Sequence, residues 1–260
     1  MTKIKALILA AGKGTRLENN EFPKALLPLN GISMLKRVVN NVLESGIDNE
    51  PTIVVGHRAE EIISAMGSGC KYILQEKLEG TGSAVLSAKR HLQNSAENIL
   101  VIYADNPLIS SETIRRLAVS HINSGGVFTM AVIKTDDFED WKKSLYDYGR
   151  IIRDPNGNMI KSVELKDTTE EQKNIKEVNP SLYCYQASWL WENLDKLKNG
   201  NKQKEYYLTD LIELAIKQGK RINTVEIESS EGLGINTFEQ LEIASKLLMV
   251  NNFKTSPLQI

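Results

Sequence analysis

Apolar and polar positions alternate along this chain with two different periods. Short unbroken apolar runs, such as Thr52–Val55 and 99–103, have the length of buried strands. Between them lie stretches such as 33–44, whose apolar residues recur three or four positions apart and predict an amphipathic helix that ends near Gly46. Strands that alternate with helices favour a mostly parallel sheet covered on both faces, with ligands beyond the carboxyl ends of the strands.

The same patterning predicts the remaining elements. Helices are expected at 59–66, 82–92, 112–120, 189–197, 207–217 and 238–250, and strands at 72–74, 128–133, 178–185 and 222–227. From about residue 136 the regular alternation of strands and helices gives way to a polar and aromatic segment. Strands at 149–153 and 159–165 around a turn at 154–158 then predict a hairpin. The charged run 166–176 is expected to be a solvated loop or the tip of a lid.

The first apolar run is followed by a segment suited to an anion. The run 6–11 ends in Gly12-Lys13-Gly14-Thr15-Arg16, and Pro23-Lys24 follows within one loop length. Glycines let successive backbone N–H groups converge on one point, and an arginine can bind phosphate oxygens with two parallel hydrogen bonds. The two glycines alone would equally suit a plain connecting turn. The segment matches neither the Walker A pattern nor the dinucleotide-binding glycine pattern.

Composition and charge narrow the possible partners. The chain has 260 residues, 41% of them hydrophobic, which suits a globular protein with a sizeable core. Its 32 Lys and Arg against 33 Asp and Glu give a net charge of -1, so no general attraction to nucleic acid or to an anionic membrane is expected. Cys70 and Cys184 are too few and too far apart for a disulfide framework, and no apolar stretch reaches membrane-spanning length. We therefore expect a cytoplasmic protein with reduced thiols.

Three further segments carry candidate chemistry. Gln75 ends a strand and could recognise a base edge, while Thr81 begins the next helix either as its N-cap or as a ligand contact. Asp105 directly follows a buried strand, where a carboxylate can hold Mg²⁺ against phosphates or can instead cap the turn before Pro107. Asn236 precedes the last helix, either beside its N-cap or as an oxygen ligand.

An ordered set of segments resembles the sugar-1-phosphate nucleotidyltransferases, and among them the N-terminal uridyltransferase domain of the bifunctional enzymes that make UDP-N-acetylglucosamine. The segments are 9–17 with Pro23-Lys24, Gln75 with Gly80-Thr81, Tyr103-Ala104-Asp105-Asn106-Pro107-Leu108-Ile109, Tyr148-Gly149-Arg150-Ile151, Glu177-Val178-Asn179, Glu205-Tyr206-Tyr207-Leu208-Thr209-Asp210 and Gly234-Ile235-Asn236. The likeness covers nearly the whole chain. It implies an α/β fold with a Rossmann-like, mostly parallel sheet, helices on both faces and a smaller antiparallel sugar-binding lobe.

The resemblance also implies a reaction and roles for particular residues. A sugar 1-phosphate, expected to be N-acetylglucosamine 1-phosphate, attacks the α-phosphorus of UTP and displaces pyrophosphate. Arg16 and Lys24 are implied as catalytic residues, and Asp105 and Asn236 as ligands of Mg²⁺. Nucleotide contacts are implied for Ala10, Ala11, Gly12, Gly14, Thr15, Gln75, Gly80 and Thr81. Sugar contacts are implied for Tyr103, Gly149, Glu164, Asn179, Tyr207 and Thr209.

Two departures from the family pattern leave the sugar open. The family typically has Tyr-Gly-Asp where this chain has Tyr103-Ala104-Asp105, and Asn-Thr-Gly where it has Asn179-Pro180-Ser181. Pro180 removes a backbone donor beside the expected sugar site. Another sugar 1-phosphate or another pyrimidine triphosphate is therefore an alternative, as is a non-catalytic regulatory subunit that binds nucleotide sugars.

The resemblance also divides the chain. Residues 1–236 are expected to form the catalytic domain, and 237–260 a linker-like helix and tail. No hexapeptide array of an acetyltransferase follows Val250, which predicts either a stand-alone transferase or a chain that ends after the linker. A homo-oligomer or a separate acetyltransferase partner is compatible with both.

Overall fold

The fold is described from a computed structural model that covers residues 3–14, 17, 21–201 and 203–255, with side chains as far as residue 250. The strands are β1 (Ile4–Ala10), β2 (Pro28–Leu29), β3 (Ile32–Ser33), β4 (Thr52–Val55), β5 (Lys71–Leu74), β6 (Asn98–Tyr103), β7 (Phe128–Lys134), β8 (Arg150–Arg153), β9 (Met159–Val163), β10 (Glu177–Val178), β11 (Tyr183–Gln186) and β12 (Ile222–Ile227). The α-helices are α1 (Met34–Ser45), α2 (Ala59–Met66), α3 (Thr81–Ser87), α4 (Lys89–Leu92), α5 (Ser111–Ser124), α6 (Glu170–Lys173), α7 (Ala187–Leu194), α8 (Asp210–Lys217) and α9 (Phe238–Thr255). Short 3₁₀ turns lie at Lys24–Leu26, Gly67–Gly69, Asp140–Leu145 and Leu165–Asp167.

The predicted mixed sheet is confirmed. Its order is β5-β4-β1-β6-β11-β7-β10-β8-β9, and β12 pairs with β7. Strands β5, β4, β1 and β6 are mutually parallel, whereas β11 runs antiparallel between β6 and β7. Beyond β7, strands β10, β8 and β9 pair antiparallel and form the smaller lobe. The carboxyl ends of the parallel strands therefore share one edge, next to this lobe.

Both faces of the sheet are covered, as the unbroken apolar strands predict. Leu7 and Leu9 of β1 belong to a core shared with α3, α7 and α8, while Ala6 and Ile8 belong to a second core shared with α1, α2 and α5. Successive side chains of a strand face opposite ways, so a strand buried on both faces must be apolar throughout. Full burial of one such large side chain stabilises the fold by roughly 1.5–3 kcal/mol.

The last helix packs against the body of the fold. A third apolar cluster contains Leu29 of the β2–β3 hairpin, Ile235 from the turn before α9, and Ala244 of α9. The division into a domain at 1–236 and a linker-like helix stays a prediction. Among the described residues, no helix is both long enough and apolar enough to cross a bilayer.

Capping explains where two predicted helices begin and end. The hydroxyl of Ser33 accepts a hydrogen bond from the Lys36 N–H at the start of α1, and Gly46 ends the helix in a left-handed conformation. Helix α5 is longer than the predicted 112–120, because Ser110 caps its start and the left-handed Gly125 ends it. Cap residues set these bounds more than apolar periodicity does.

Three predicted elements are corrected. The predicted helix 82–92 starts at Thr81 and is divided at Ala88 into α3 and α4, and the predicted helix 207–217 begins only at Asp210. The predicted strand 178–185 is two strands, because β10 pairs with β7 and β8 whereas β11 pairs with β6 and β7. Between them Pro180 lacks an N–H group and Ser181 has a φ of 61°. Neither residue can continue a strand there.

Two distant segments are joined by main-chain hydrogen bonds, and we call this pairing of 79–82 with 205–208 the backbone clasp. The Tyr206 N–H donates to Glu79 O over 2.7 Å, and the Gly82 N–H donates to Tyr206 O over 2.7 Å. A Cβ at Gly80 would lie 2.7 Å from Tyr206 O. The backbone clasp therefore requires a glycine at residue 80.

A buried polar network joins α5 to β6 and β7 through His121. The Nδ1 of His121 contacts the Thr129 hydroxyl at 2.9 Å, and its Nε2 contacts Asn98 Oδ1 at 3.0 Å. His121 is 2% exposed. Burial disfavours the imidazolium and lowers the pKa of His121 to about 4.

We expect Gly80→Ala to lower the free energy of unfolding more than Gly67→Ala does. Both glycines have positive φ and extended ψ, so both substitutions introduce similar backbone strain. Only at residue 80 would the new methyl group strike backbone atoms, since a Cβ at Gly67 meets nothing within 4 Å. The difference should be roughly 1–3 kcal/mol by chemical denaturation. Equal losses in the two variants would contradict the steric role assigned to Gly80.

We expect stability to fall as the pH drops below about 6.5, partly because of His121. The unfolded chain takes up a proton at this residue near pH 6.5, but the folded protein does so only near pH 4. The stabilisation is therefore complete above pH 6.5 and decreases by up to roughly 1.4 kcal/mol per pH unit towards pH 4. Unfolding free energies between pH 8 and 4.5 should fall more steeply for the unaltered protein than for His121→Gln. Parallel profiles would exclude this contribution.

Candidate active site

A cleft of about 540 Å³ opens at the carboxyl edge of the parallel strands. It is lined by Leu9, Ala10, Ala11, Gly12, Lys13, Gly14, Lys24, Ala25, Gln75, Leu78, Gly80, Thr81, Ala84, Tyr103, Ala104, Asp105, Glu205 and Asn236. The segments that end β1, β5 and β6 thus meet there, as expected for a parallel sheet. We call this the first cleft.

Lys24 packs closely against the glycine-rich loop in the first cleft. Gly14 has a φ of 64°, and a Cβ there would lie 2.6 Å from the Cβ of Lys24. Glycine at this position therefore allows the lysine to approach the loop closely. Thr15 and Arg16 lie outside the described residues, and their implied roles stay predictions.

The ammonium group of Lys24 connects the two implied metal ligands. Its Nζ donates to Asp105 Oδ2 over 2.5 Å and to Asn236 Oδ1 over 2.8 Å. Asp105 follows β6, and its main-chain oxygen accepts a hydrogen bond from the Ile235 N–H over 2.8 Å. Three segments far apart in sequence therefore converge on one cation.

Helix capping does not occupy these two side chains. The Gln240 N–H donates to the Thr237 hydroxyl, so Thr237 is the residue whose side chain caps α9. Asn236 lies beside this cap, and its side chain faces Lys24 instead. The alternative of Asp105 as a capping residue is likewise not observed, because its carboxylate accepts from Lys24.

The donor set fits a magnesium ion that is shared with phosphates. Carboxylate and amide oxygens are the ligands that Mg²⁺ takes, and a magnesium site commonly uses one or two protein ligands with water and phosphate oxygens. Both oxygens already converge on a positive charge in this structure. Within the described part of the chain, no cluster of three or more His, Cys, Asp or Glu residues could bind a metal by itself.

Gln75 and Thr81 line the first cleft together with Gly80. Gln75 is 5% exposed, and its Nε2 donates to Gly80 O over 3.2 Å. Thr81 is the first residue of α3, with Gly80 in the N-cap position, and its hydroxyl accepts from the Leu208 N–H over 3.0 Å. The alternative of Thr81 as an N-cap is therefore wrong, and its hydroxyl supports the backbone clasp.

A second cleft of about 760 Å³ adjoins the first and shares Thr81 and Tyr103 with it. It is lined by Thr81, Tyr103, Tyr146, Asp147, Glu164, Leu165, Lys166, Thr168, Lys173, Ser181, Gln203, Tyr207 and Thr209. The charged run predicted as a loop or lid tip thus supplies Lys166, Thr168 and Lys173 to this wall. Four of the implied sugar residues are brought together there, namely Tyr103, Glu164, Tyr207 and Thr209.

Burial affects two titrating groups of the second cleft. The pKa of the Tyr103 phenol is raised, chiefly because it is buried, so this side chain stays neutral and can donate a hydrogen bond. Glu164 is an exposed residue, yet nearby protein desolvates its carboxylate enough to raise its pKa.

Gly149 and Asn179 are not among the residues that line the second cleft. The Gly149 carbonyl accepts from the Asn179 N–H over 2.9 Å, and a Cβ at Gly149 would lie 3.3 Å from Ser162 Oγ. Both residues hold the β8–β9 hairpin against the loop that precedes β11. Their implied sugar contacts stay predictions.

Sequence reasoning assigned no role to Tyr148, although it belongs to a motif quoted above. Its hydroxyl accepts from the Gly234 N–H over 2.8 Å and donates to Gly232 O over 2.9 Å. Burial raises the pKa of Tyr148 to about 12. The phenol thus ties the smaller lobe to the turn that carries Asn236. A tyrosine next to a glycine at the start of a strand gives no signal of such a distant contact.

The profile of the MobA-like NTP transferase domain family matches residues 6–209 of the chain. Curated relatives include the bifunctional protein GlmU of Acetivibrio thermocellus, which is 40% identical over 95% of this chain, and that of Geobacillus thermodenitrificans, which is 38% identical over 95%. In each case the match covers 52% of the relative. The chain therefore spans about half the length of these relatives.

Solved structures agree on the fold. A UDP-glucose pyrophosphorylase bound to UDP-glucose has a TM-score of 0.74 at 20% identity, covering 96% of this chain and all of its own. A Bacillus anthracis protein assigned as a glucose-1-phosphate thymidylyltransferase has a TM-score of 0.75 at 22% identity, covering 94% of each chain. The resemblance predicted from the motifs is confirmed. With its glycine-rich loop, its strand-end carboxylate and this match along most of its length, the chain belongs to the MobA-like NTP transferase domain family.

Proposed function

We propose that this enzyme transfers a uridylyl group from UTP to N-acetylglucosamine 1-phosphate in a Mg²⁺-dependent reaction. The observation that carries the proposal is the junction of Lys24, Asp105 and Asn236 beside the glycine-rich loop, in a cleft that opens into a second cleft. A triphosphate in the first cleft and a sugar phosphate in the second would meet near Tyr103. The bifunctional GlmU relatives support the choice of substrates.

In the proposed reaction an oxygen of the sugar 1-phosphate forms a bond to the α-phosphorus of UTP. The bond from that phosphorus to the bridging oxygen breaks, and pyrophosphate leaves with the electron pair. The attacking phosphate is already ionised near neutral pH, so no protein base is needed. Catalysis then consists of positioning and of stabilising the negative charge that develops in the transition state.

Each charged group has a proposed part in this stabilisation. Lys24 and Arg16 would neutralise the phosphate oxygens, and the backbone N–H groups of Gly12 and Gly14 would bind them. Asp105 and Asn236 would hold Mg²⁺, which as a Lewis acid draws negative charge from phosphate oxygens. Lys24 would then exchange its two protein partners for phosphate.

The orientation of Gln75 supports a uracil base. One N–H of its Nε2 donates to Gly80 O, which leaves the Oε1 acceptor and the second N–H for a ligand. Uracil presents an N3–H donor beside a carbonyl oxygen at its pairing edge, and these groups match the remaining acceptor and donor of Gln75. On the other side, Glu164, Tyr207 and Thr209 supply acceptors and hydroxyls for a sugar.

We expect pyrophosphate release with UTP and N-acetylglucosamine 1-phosphate in the presence of Mg²⁺. The assay pairs UTP, CTP, dTTP and ATP with N-acetylglucosamine 1-phosphate, glucosamine 1-phosphate and glucose 1-phosphate, each with and without Mg²⁺. Turnover restricted to glucose 1-phosphate or to dTTP would replace the proposed substrates. Binding of a UDP-sugar without turnover of any pair would instead support a regulatory subunit.

We expect Lys24→Met to bind Mn²⁺ several-fold more tightly than the unaltered enzyme when no nucleotide is present. The ammonium of Lys24 bonds both oxygens that a metal would need, so its removal leaves them to the metal. Asp105→Asn should bind Mn²⁺ at least tenfold more weakly, because a neutral amide replaces the carboxylate. Electron paramagnetic resonance of free Mn²⁺ measures both affinities without any turnover.

The matched control is Lys13→Met, which removes the same charge from the same cleft. General electrostatics would give Lys13→Met and Lys24→Met similar increases in affinity. Only direct competition for Asp105 and Asn236 predicts a clearly larger increase for Lys24→Met. Equal Mn²⁺ affinity in all four proteins would remove Asp105 from the metal role.

A further inference from the structure

The loop between β10 and β11 presents one residue to the second cleft, and it is not the one expected from the sequence. Ser181 lines this cleft, whereas Asn179 and Pro180 do not. The loop follows Val178, the last residue of β10, and leads into β11 at Tyr183. Whatever this loop contributes to a ligand in the cleft therefore comes from Ser181.

The amide of Asn179 is engaged within the protein at both ends. Its Nδ2 donates to the Tyr183 hydroxyl over 2.9 Å, and its Oδ1 accepts from the Ser181 N–H over 2.9 Å. The residue is 5% exposed. A ligand that bonded the Oδ1 would have to displace one of these bonds, which would leave a buried polar group unpaired. Asn179 is thus placed to hold Ser181.

The backbone of Ser181 is held in a conformation that serine rarely adopts. Its φ is 61°, a left-handed value that strains a residue with a side chain. The hydrogen bond from its N–H to Asn179 Oδ1 helps to hold this conformation. The close packing of Pro180 against Gly232 also helps, since a Cβ on Gly232 would lie 2.8 Å from the Pro180 Cβ. Strained residues of this kind concentrate at ligand clamps.

The hydroxyl of Ser181 retains hydrogen-bonding capacity for a ligand. A serine hydroxyl has one donor and two acceptor positions, so Ser181 can either donate to a sugar hydroxyl or accept from it. The Tyr183 phenol is hydrogen-bonded to Asn179 and stays protonated, because burial raises its pKa.

We propose that Ser181 is a specificity-determining residue that hydrogen-bonds a hydroxyl group of the sugar 1-phosphate, and that Asn179 positions it. This inference rests on the proposed function, because it takes the second cleft as the sugar site. Ser181 selects among sugars that differ at the contacted hydroxyl group. It has no part in binding the triphosphate, which occupies the other cleft.

The test combines changes in the enzyme with changes in the sugar. Values of kcat/KM are measured for the unaltered enzyme and Ser181→Ala with N-acetylglucosamine 1-phosphate and its 3-deoxy, 4-deoxy and 6-deoxy analogues. We expect Ser181→Ala to lower kcat/KM about tenfold for the parent sugar, through the KM of the sugar phosphate and with the KM of UTP unchanged. For one deoxy analogue the two enzymes should have equal kcat/KM, because the partner of Ser181 is missing in both.

Ser181→Gly separates the lost hydroxyl from backbone strain. Glycine adopts a φ of 61° without strain, whereas alanine does not, yet both lack the hydroxyl. The proposal expects both variants to lose the same discrimination among the deoxy analogues. A loss confined to Ser181→Ala, or the same fold-loss on the parent and on every analogue, would overturn it.

The proposed function and the role of Ser181 are tested by different outcomes. No turnover by the unaltered enzyme with any triphosphate and sugar 1-phosphate would remove the proposed function and this inference with it. Turnover by the unaltered enzyme, with Ser181 variants that discriminate among the analogues as the unaltered enzyme does, would remove this inference alone.

Discussion

The ion pair between Lys24 and Asp105 is the contact on which the arrangement of the first cleft depends. Asp105 is 81 residues from Lys24 in sequence, and the Asn236 oxygen that completes the contact is 212 residues away. Pairing of β1 with β6 brings the first two segments to one edge of the sheet. The turn before α9 then joins them through the hydrogen bond from Ile235 to Asp105. Three separate parts of the fold must be in place before this cation has its partners.

Two further contacts connect the larger body of the fold with the walls of the second cleft. The backbone clasp holds the segment that carries Tyr207 against the start of α3. The Tyr148 hydroxyl joins the smaller lobe to the turn that carries Asn236. Both contacts use backbone atoms on at least one side, so they position one segment against another through the main chain. Positioning of this kind is what phosphoryl-transfer chemistry requires of a protein.

Much of the fold follows from local pattern, and its errors have a common cause. The predicted bounds of β4 and α2 match the structure, because an apolar strand and an amphipathic helix are each followed directly by a glycine. The strand predicted at 178–185 fails because it is two strands, β10 between β7 and β8 and β11 between β6 and β7. Serine rarely adopts a left-handed conformation, so the sequence gives no local signal of the break at Ser181. The sugar contact of Asn179 is implied by the resemblance and stays a prediction, and local sequence does not show which hydrogen bonds its amide makes within the protein.

The sequence by itself determined the alternation of strands and helices, the membership of the family and the segments that end at the carboxyl edge of the sheet. These depend on residues close together in the chain, through periodicity, capping and glycine-rich turns. Only the tertiary structure decided that Lys24 bonds Asp105 and Asn236, that Thr81 supports the backbone clasp, and that Ser181 lines the second cleft while Asn179 does not. The physical reason is that a side chain's partner depends on distances between segments far apart in sequence, and these are set by strand pairing and packing rather than by local pattern.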